Sequence, residues 1–223
     1  MPGQTEALTN MNPLIEQFKN DLRARFAQEN KTAKKGQIVF VGSSLMEIFP
    51  IEKMQQGLGL DKVIYNRGIR ATTTGELLAA MDVCIFDLEP SKVFINIGTN
   101  DIGFGVPEET FLANYDEILR QIKERLPEAQ VYVMAYYPVN PVAEFGEAEE
   151  EHESLFARRS NEALASASSK VAQLAEKYGF KFIDVNAGLT DADGNLRREL
   201  TFDGAHMLPA GYEVVLENMK QYL

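Results

Sequence analysis

The chain has two histidines, and one of them, His206, follows Asp203 by three residues. An imidazole can take up and release a proton near neutral pH, and a neighbouring carboxylate can hold it in one tautomer and stabilise its cation. Such a pair can remove the proton of a hydroxyl that is otherwise a weak nucleophile. Asp203 and His206 are therefore a candidate base for a serine elsewhere in the chain.

A pair of serines, Ser43 and Ser44, directly follows a short apolar run and Gly42. The glycine allows a sharp turn, and a helix that starts here would point the positive end of its dipole at a developing negative charge. Pro50 limits that helix to a few residues. Further along, Asn100 follows another apolar run, and its amide could donate to an oxyanion. Together these residue types suit acyl transfer.

Five short apolar runs, each bounded by turn residues, predict the strands that position these groups. They are rich in β-branched and aromatic residues, as strands buried on both faces are. The runs are Ile38 to Val41, Val63 to Tyr65, Val93 to Ile97, Val131 to Tyr136 and Phe180 to Val185. Helical patterns lie between them, so the alternation predicts right-handed crossovers and an α/β fold with a parallel sheet.

The helices are predicted from apolar residues that recur at helical spacing. The first covers residues 12–29, and Asn12 can cap it. Its inward face is predicted to consist of Ile15, Phe18, Leu22 and Phe26. Thr73 and Glu76 have the spacing of a capping box at the start of another helix. The remaining helices are predicted to begin at Pro107, to run from about Glu153 to Tyr178, and to follow Pro209.

Reactive residues follow four of the five predicted strands. Ser44 comes after the first strand, residues 66–71 after the second, Asn100 after the third, and His206 after the fifth, past a longer loop. In a parallel sheet the carboxyl ends of the strands share one edge, and ligands bind there. A hydroxyl, loop amides, a carboxamide and an imidazole are therefore expected at one edge of one sheet.

Four segments, FVGSSL, YNRGIRA, NIGTND and DGAH, resemble in order the conserved blocks of the SGNH or GDSL-type hydrolases, a family of serine esterases that includes lipases and acylhydrolases. The blocks lie within residues 39–206, from Phe40 to His206. The resemblance implies a flavodoxin-like, three-layer α/β/α fold with a five-stranded parallel sheet. It also implies hydrolysis of esters. The length of the chain fits one domain over residues 1–223, and residues 1–35 are expected to form a helical extension packed on it.

The resemblance gives each candidate residue a role. Ser44 becomes the nucleophile, His206 its base and Asp203 the partner that holds the histidine. The amides of Ser44 and Ala71 and the side chain of Asn100 become the donors to the oxyanion. The reaction implied is hydrolysis through a covalent acyl-enzyme.

Two positions depart from the family's pattern. Ser43 replaces the usual aspartate, and Ala71 replaces the usual glycine, so that a positive φ at residue 71 would strain the backbone. Arg70 and Tyr136 are weaker candidates for contact with the substrate. The acidic loop over residues 138–154 is expected to border the site.

The net charge of −11 makes nucleic acid and anionic membrane surfaces poor partners for this chain. No apolar run approaches the roughly 18 residues of a membrane span, and the N-terminus lacks the apolar segment of a signal peptide. The one cysteine, Cys84, excludes an internal disulfide and fits a reducing compartment. We therefore expect a cytoplasmic protein. The sequence leaves its oligomeric state open, and a homodimer is one option.

Two histidines and one cysteine cannot supply a zinc site with the usual spacings. The chain also lacks the glycine-rich strings that hold nucleotide phosphates. We therefore expect no metal and no cofactor. The expected partner is a small-molecule ester, with acetyl groups on carbohydrates as the first choice. The alternatives are a lysophospholipase or thioesterase with the same triad, and a noncatalytic module that binds a carbohydrate or an anion.

Overall fold

Five parallel strands form the centre of the protein. The computed structural model describes residues 13–146 and 149–223. The strands are β1 (Ile38–Gly42), β2 (Ile64–Gly68), β3 (Lys92–Asn96), β4 (Gln130–Met134) and β5 (Lys181–Ile183). Their order across the sheet is β2-β1-β3-β4-β5, and every neighbouring pair is parallel. The predicted five-stranded parallel sheet is confirmed, and its order is that of flavodoxin-like folds.

Helices of very different length connect the strands. The short helices are α2 (Ser44–Glu47), α3 (Ile51–Met54), α4 (Thr74–Ala79), α5 (Met81–Cys84), α6 (Thr99–Phe104) and α8 (Glu149–Phe156). The longer ones are α1 (Pro13–Asn30), α7 (Glu108–Arg125), α9 (Asn161–Lys177) and α10 (Pro209–Met219). In the described part of the chain, none of them has the length and apolar character needed to cross a membrane.

Alternate residues of the strands enter two separate cores, because successive side chains of a strand point to opposite faces of the sheet. Val39 and Val93 pack in one core with residues of α1, α4, α5, α7 and α9. Phe40 and Phe94, from the same strands, pack in the other core with residues of α2, α3 and α10. The protein therefore has three layers, with helices on both faces of the sheet.

The N-terminal helix α1 contributes to the first of these cores. Leu22 and Phe26 are buried in it. Lys19 is also buried, and its ammonium group lies 2.6 Å from the carboxylate of Glu76. Phe18, which was predicted to face inward, is instead 38% exposed, and Asn12 lies outside the described residues. The buried face of α1 is thus narrower than the apolar pattern predicts.

The helix predicted from about Glu153 to Tyr178 is wrong as a single element, because the structure divides it into α8 and α9. Residues 157–160 separate the two helices. Ser160 caps α9 by accepting a hydrogen bond from the backbone N–H of Ala163 at 3.1 Å. This break lies next to the carboxyl edge of the sheet, and one of its residues contributes to the site described below.

Strand β2 extends beyond its prediction into polar residues. The apolar run predicted only Val63 to Tyr65, whereas the strand continues through Asn66 and Arg67. The Asn66 amide donates to the carbonyl oxygen of Met46 at 2.6 Å. The Arg67 guanidinium lies 4.5 Å from the centre of the Phe26 ring, beneath α1, and the residue is 2% exposed. Specific partners thus allow polar side chains in a buried strand.

Candidate active site

Ser44 is the first residue of α2, directly after β1. Gly42 ends the strand, and a β-carbon there would lie 2.0 Å from the carbonyl oxygen of Asn96, so no larger residue fits. Ser43 occupies the N-cap position and is buried, and its hydroxyl has no hydrogen-bond partner in the described part of the chain. Of the two adjacent serines, Ser44 is the one that lines a cavity.

The three residues predicted to act together are in hydrogen-bond contact. Ser44 Oγ is 2.9 Å from His206 Nε2, and His206 Nδ1 is 2.6 Å from Asp203 Oδ2. Because a carboxylate only accepts hydrogen bonds, Nδ1 carries the proton and Nε2 is left to accept from the serine hydroxyl. The geometry is that required of a nucleophile, a base and a group that orients the base.

A short turn holds Asp203 next to the histidine. Its second carboxylate oxygen accepts hydrogen bonds from the backbone N–H groups of Ala205 and His206 at 2.9 and 2.7 Å. Burial alone would raise the pKa of Asp203, but the hydrogen bonds and charge of His206, together with the two N–H groups, hold that pKa below its ordinary value. The carboxylate is therefore ionised at neutral pH, as its role beside the imidazole requires.

Asn100 lies in the first turn of α6 and lines the same cavity as Ser44. Its Nδ2 donates to the carbonyl oxygen of Thr72 at 3.0 Å, and its Oδ1 accepts from Arg159 Nη2 at 3.2 Å. An amide nitrogen carries two hydrogens, so one remains for a further acceptor. The carboxamide is thus held by two neighbours and still has a donor for an oxyanion.

The two backbone N–H groups predicted to donate to the oxyanion belong to Ser44, which lines the cavity, and to Ala71, which does not. Among the residues that the structure describes, the N–H of Ser44, in the first turn of α2, donates to no backbone carbonyl outside regular helices and strands. Ala71 has a φ of +56°, which is the positive value that strains a residue other than glycine at this position. In the described part of the chain the Ala71 N–H donates to no other backbone group, but Ala71 is not among the residues that line the cavity. Its role as a donor stays a prediction.

The cavity beside Ser44 is small, with a volume of about 40 Å³. Its polar wall consists of Ser44, Thr99, Asn100, Arg159 and His206. Its apolar wall consists of Leu45, Tyr137, Val139, Leu155, Leu164 and Ala205. Val139 belongs to the loop that was expected to border the site, and Leu155 follows directly after it. An apolar recess thus adjoins the reactive hydroxyl.

Arg159 belongs to this wall, although none of the sequence patterns above predicted it there. It lies in the break between α8 and α9, and burial lowers its pKa while the charge of Asp203 partly offsets that effect. A serine at residue 160, followed by Asn161 and Glu162, is a recognised signal for the start of a helix. That signal could have indicated the break and hence the position of the arginine.

The two weaker candidates for substrate contact lie away from the cavity. Arg70 Nε donates to the carboxylate of Glu47 at 2.9 Å. The Tyr136 side chain is buried, and its hydroxyl donates to the carbonyl oxygen of Ile97 at 2.8 Å. Neither residue lines the cavity, whereas the neighbouring Tyr137 does. The structure thus gives Arg70 and Tyr136 partners within the protein and puts Tyr137 in the cavity wall. Contact of Arg70 or Tyr136 with the substrate stays a prediction.

The other histidine, His152, lies apart from this site on α8. Its Nε2 is 2.8 Å from the carbonyl oxygen of Pro141, and its ring packs against Phe156. Within residues 13–146 and 149–223, no group of three or more His, Cys, Asp or Glu side chains could hold a metal ion. His206 is thus the histidine that contacts the candidate nucleophile.

The Ser-His-Asp contacts at the carboxyl edge of this flavodoxin-like sheet have the geometry that serine hydrolases use. The chain belongs to the GDSL-like Lipase/Acylhydrolase family, whose model matches residues 51–214. It is therefore an ester hydrolase of the GDSL type. The matched segment includes Asp203 and His206 but begins after Ser44, whose assignment rests on its contact with His206.

Relatives of known name or structure match this chain over most of their length. Platelet-activating factor acetylhydrolase IB subunit alpha2 of Gallus gallus is 22% identical over 204 residues, which are 89% of this chain and 80% of the relative. A solved structure from Streptococcus pneumonia, provisionally described as a platelet activating factor, is 29% identical, with a TM-score of 0.83 and 98% of both chains covered. A catalytic mutant of Axe2, an acetylxylan esterase from Geobacillus stearothermophilus, has a TM-score of 0.61 at 18% identity, covering 86% of this chain and 95% of that one.

Proposed function

We propose that this chain hydrolyses short-chain esters, with acetyl esters as the preferred class, through an acyl-enzyme on Ser44. The observation that carries the proposal is the series of contacts from Ser44 Oγ to His206 Nε2, at 2.9 Å, and from His206 Nδ1 to Asp203, at 2.6 Å. The small cavity with a largely apolar wall beside the serine hydroxyl supports a short acyl group.

In the first half of the reaction, Ser44 Oγ attacks the ester carbonyl carbon while His206 Nε2 takes the serine proton. The carbonyl oxygen becomes negatively charged and is stabilised by the Ser44 N–H and the Asn100 amide, with the Ala71 N–H as a third donor. Asp203 stabilises the imidazolium. The tetrahedral intermediate then expels the alcohol, which leaves with the proton that His206 returns.

In the second half, water takes the place of the alcohol. His206 removes a proton from the water as its oxygen attacks the acyl carbon, and the same donors stabilise the second oxyanion. The bond from the acyl carbon to Ser44 Oγ breaks, and the serine regains its proton from His206. The products are a carboxylic acid and the free enzyme, so no group outside the chain is consumed except water.

The size of the cavity favours an acetyl group over longer acyl chains. One water molecule needs roughly 10–15 Å³ of such space, so a volume of about 40 Å³ holds only a few groups of that size. Leu155 and Tyr137 form part of the apolar wall, and we expect them to limit the length of the acyl chain. The names of two relatives, an acetylhydrolase and an acetylxylan esterase, are consistent with this class.

An exposed aromatic ring next to the histidine supports a carbohydrate as the alcohol part of the ester. Phe202 is 52% exposed, and its ring lies 5.8 Å from the His206 ring at an angle of 12°. Its flat apolar surface could receive the face of a sugar ring beside the group that protonates the leaving alcohol. We propose acetylated carbohydrates as the first substrates to test.

Hydrolysis of p-nitrophenyl esters of two, four, eight and ten carbons tests the proposal. We expect kcat/KM to be highest for the acetate, and Ser44→Ala to lower it by roughly 10⁴-fold or more. Ser43→Ala is the matched control, because its buried hydroxyl has no partner in the described part of the chain and its loss should leave the activity intact.

Three other outcomes would contradict parts of this proposal. A preference for the eight- or ten-carbon ester would favour a lysophospholipase or thioesterase. Binding of carbohydrate without turnover of any ester would favour a noncatalytic module. Equal activity of the wild type and Ser44→Ala would exclude Ser44 as the nucleophile.

A further inference from the structure

We propose that Arg159 is a positioning residue that fixes the orientation of the Asn100 amide and thereby completes the oxyanion site. The inference rests on the proposed function, because it assigns a role within the same reaction. It concerns a residue that lies outside the four sequence blocks and that reaches the site only because α8 and α9 are separate helices.

The guanidinium of Arg159 is anchored on three sides. Nε donates to the carbonyl oxygen of Thr99 at 3.2 Å, and Nη1 donates to the carbonyl oxygen of Leu155 at 2.9 Å. Nη2 donates to Asn100 Oδ1 at 3.2 Å. The group also packs against α6 so closely that a β-carbon at Gly103 would be 2.1 Å from the guanidinium carbon. The planar fork is therefore held in one place.

Both neighbours of Asn100 select the same orientation of its amide. Arg159 has only donors, so it accepts nothing from the amide and must face Oδ1. The carbonyl oxygen of Thr72 only accepts, so it must face Nδ2. A flipped amide would set N–H against N–H on one side and oxygen against oxygen on the other. The remaining Nδ2 hydrogen is thus held in a fixed direction before substrate arrives.

The positive charge of Arg159 adds to this effect. Its three acceptors are neutral oxygens. The charge of Asp203 acts on it, but in the described part of the chain no carboxylate lies within ion-pair distance. The group lines the same small cavity as Ser44 and Asn100. A cation in a partly buried cavity wall favours the negative charge that develops on the carbonyl oxygen. Arg159 therefore supports the oxyanion through Asn100 and through its charge.

A double-mutant cycle on hydrolysis of p-nitrophenyl acetate tests the inference. We expect Arg159→Met to lower kcat by about 10- to 100-fold with a much smaller change in KM, because the oxyanion is present only in the transition state. In an Asn100→Ala background the same substitution should lower kcat far less, because the amide it orients is gone. Arg158→Met, at the exposed neighbouring position, is the matched control and should leave kcat unchanged.

Arg159→Lys keeps the charge but loses the planar fork, and it gives the same test if the methionine variant melts below the assay temperature. We expect its kcat to lie between those of the wild type and Arg159→Met. The inference would be overturned if Arg159→Met lowered kcat equally in the wild type and in the Asn100→Ala background, or did not lower it at all. Either result would leave the proposed function intact. Failure of the proposed function would instead appear as an inactive wild type.

Discussion

Ala71 is one of two non-glycine residues in the described part of the chain whose φ is positive. Its φ of +56° lies in the left-handed region, which costs a residue with a β-carbon about 1–2 kcal/mol. The strain sits in the loop that follows β2, one residue before the carbonyl group that holds Asn100. The position thus combines a conformation that suits glycine with a place in the chain next to the residue that holds Asn100.

Ala71→Gly should therefore stabilise the protein. We expect the free energy of unfolding in urea to rise by about 1 kcal/mol, because the strain is relieved while the backbone N–H is kept. For the same reason kcat should change little. Ala165→Gly, at an exposed position inside α9, is a control of opposite sign and should lower stability by about 1 kcal/mol. A destabilised Ala71→Gly variant would show that the backbone at residue 71 is not strained.

At the residue scale, the sequence predicts the reactive groups better than the groups that support them. The contact among Ser44, His206 and Asp203 could be predicted because these residue types suit one another chemically and were expected at the same sheet edge. The choice of Ser44 over Ser43 came from the family resemblance. Arg159 could not be predicted in the same way, since its contact with Asn100 depends on where two helices separate. Arginine is so often solvated on protein surfaces that its residue type alone indicates no role.

At the scale of elements, one buried carboxylate joins two helices next to the site. Asp101 on α6 is 1% exposed and accepts hydrogen bonds from the backbone N–H and the hydroxyl of Thr74, at the start of α4, at 2.9 and 2.5 Å. Burial raises the pKa of Asp101 to about 6 in spite of these hydrogen bonds. The junction of α4 and α6 should therefore respond to pH.

The sign of that response follows from the two states of Asp101. Its pKa in the folded chain, about 6, is above its ordinary value of 3.8, so the folded state keeps a proton that the unfolded state has already lost. Stability is therefore lost as pH rises from about 4 to about 6. Since one pKa unit corresponds to about 1.4 kcal/mol, the loss amounts to about 3 kcal/mol above that window.

Asp101→Asn removes the titrating group and isolates its effect. Urea unfolding at a series of pH values should show that the stability of the variant relative to the wild type rises by about 2 kcal/mol between pH 4 and pH 7, most of the full effect. All other titrating groups are shared, so they cancel in the difference. A difference that stays constant with pH would contradict the raised pKa.

The elements themselves could be predicted where hydrophobic periodicity alone decides them. The strands and the helix after Pro107 are of this kind, and that helix begins at Glu108 with Phe111 and Tyr115 buried. Strand β2 could not be bounded correctly, because Asn66 and Arg67 are buried through tertiary partners that no local pattern indicates.

At the scale of the whole molecule, the order of the strands brings the reactive groups together. The sheet order changes direction between β1 and β3, and the carboxyl ends of these neighbours carry Ser44 and Asn100. A ligand site is expected where the order reverses in this way. The alternation of strands and helices predicts a parallel sheet, but the order of its strands came only from the family resemblance.

The N-terminal helix should be needed for the stability of the whole domain rather than for the reaction. Leu22 is 6% exposed in the core that also contains sheet residues, so Leu22→Ala should lower the free energy of unfolding by about 2–5 kcal/mol. Phe18→Ala, on the more exposed side of α1, should cost clearly less. Thermal unfolding followed by circular dichroism compares the two. Equal effects would mean that α1 is not docked through its buried face.

The central claim, that Ser44 is a nucleophile activated by His206, is tested most directly by a fluorophosphonate, which bonds covalently to an activated serine. Mass spectrometry of the intact protein and of its peptides should show one adduct, located on Ser44. That adduct should be absent in Ser44→Ala, strongly slowed in His206→Ala and retained in Ser43→Ala. An unmodified wild type, or an adduct that persists in Ser44→Ala, would contradict the account.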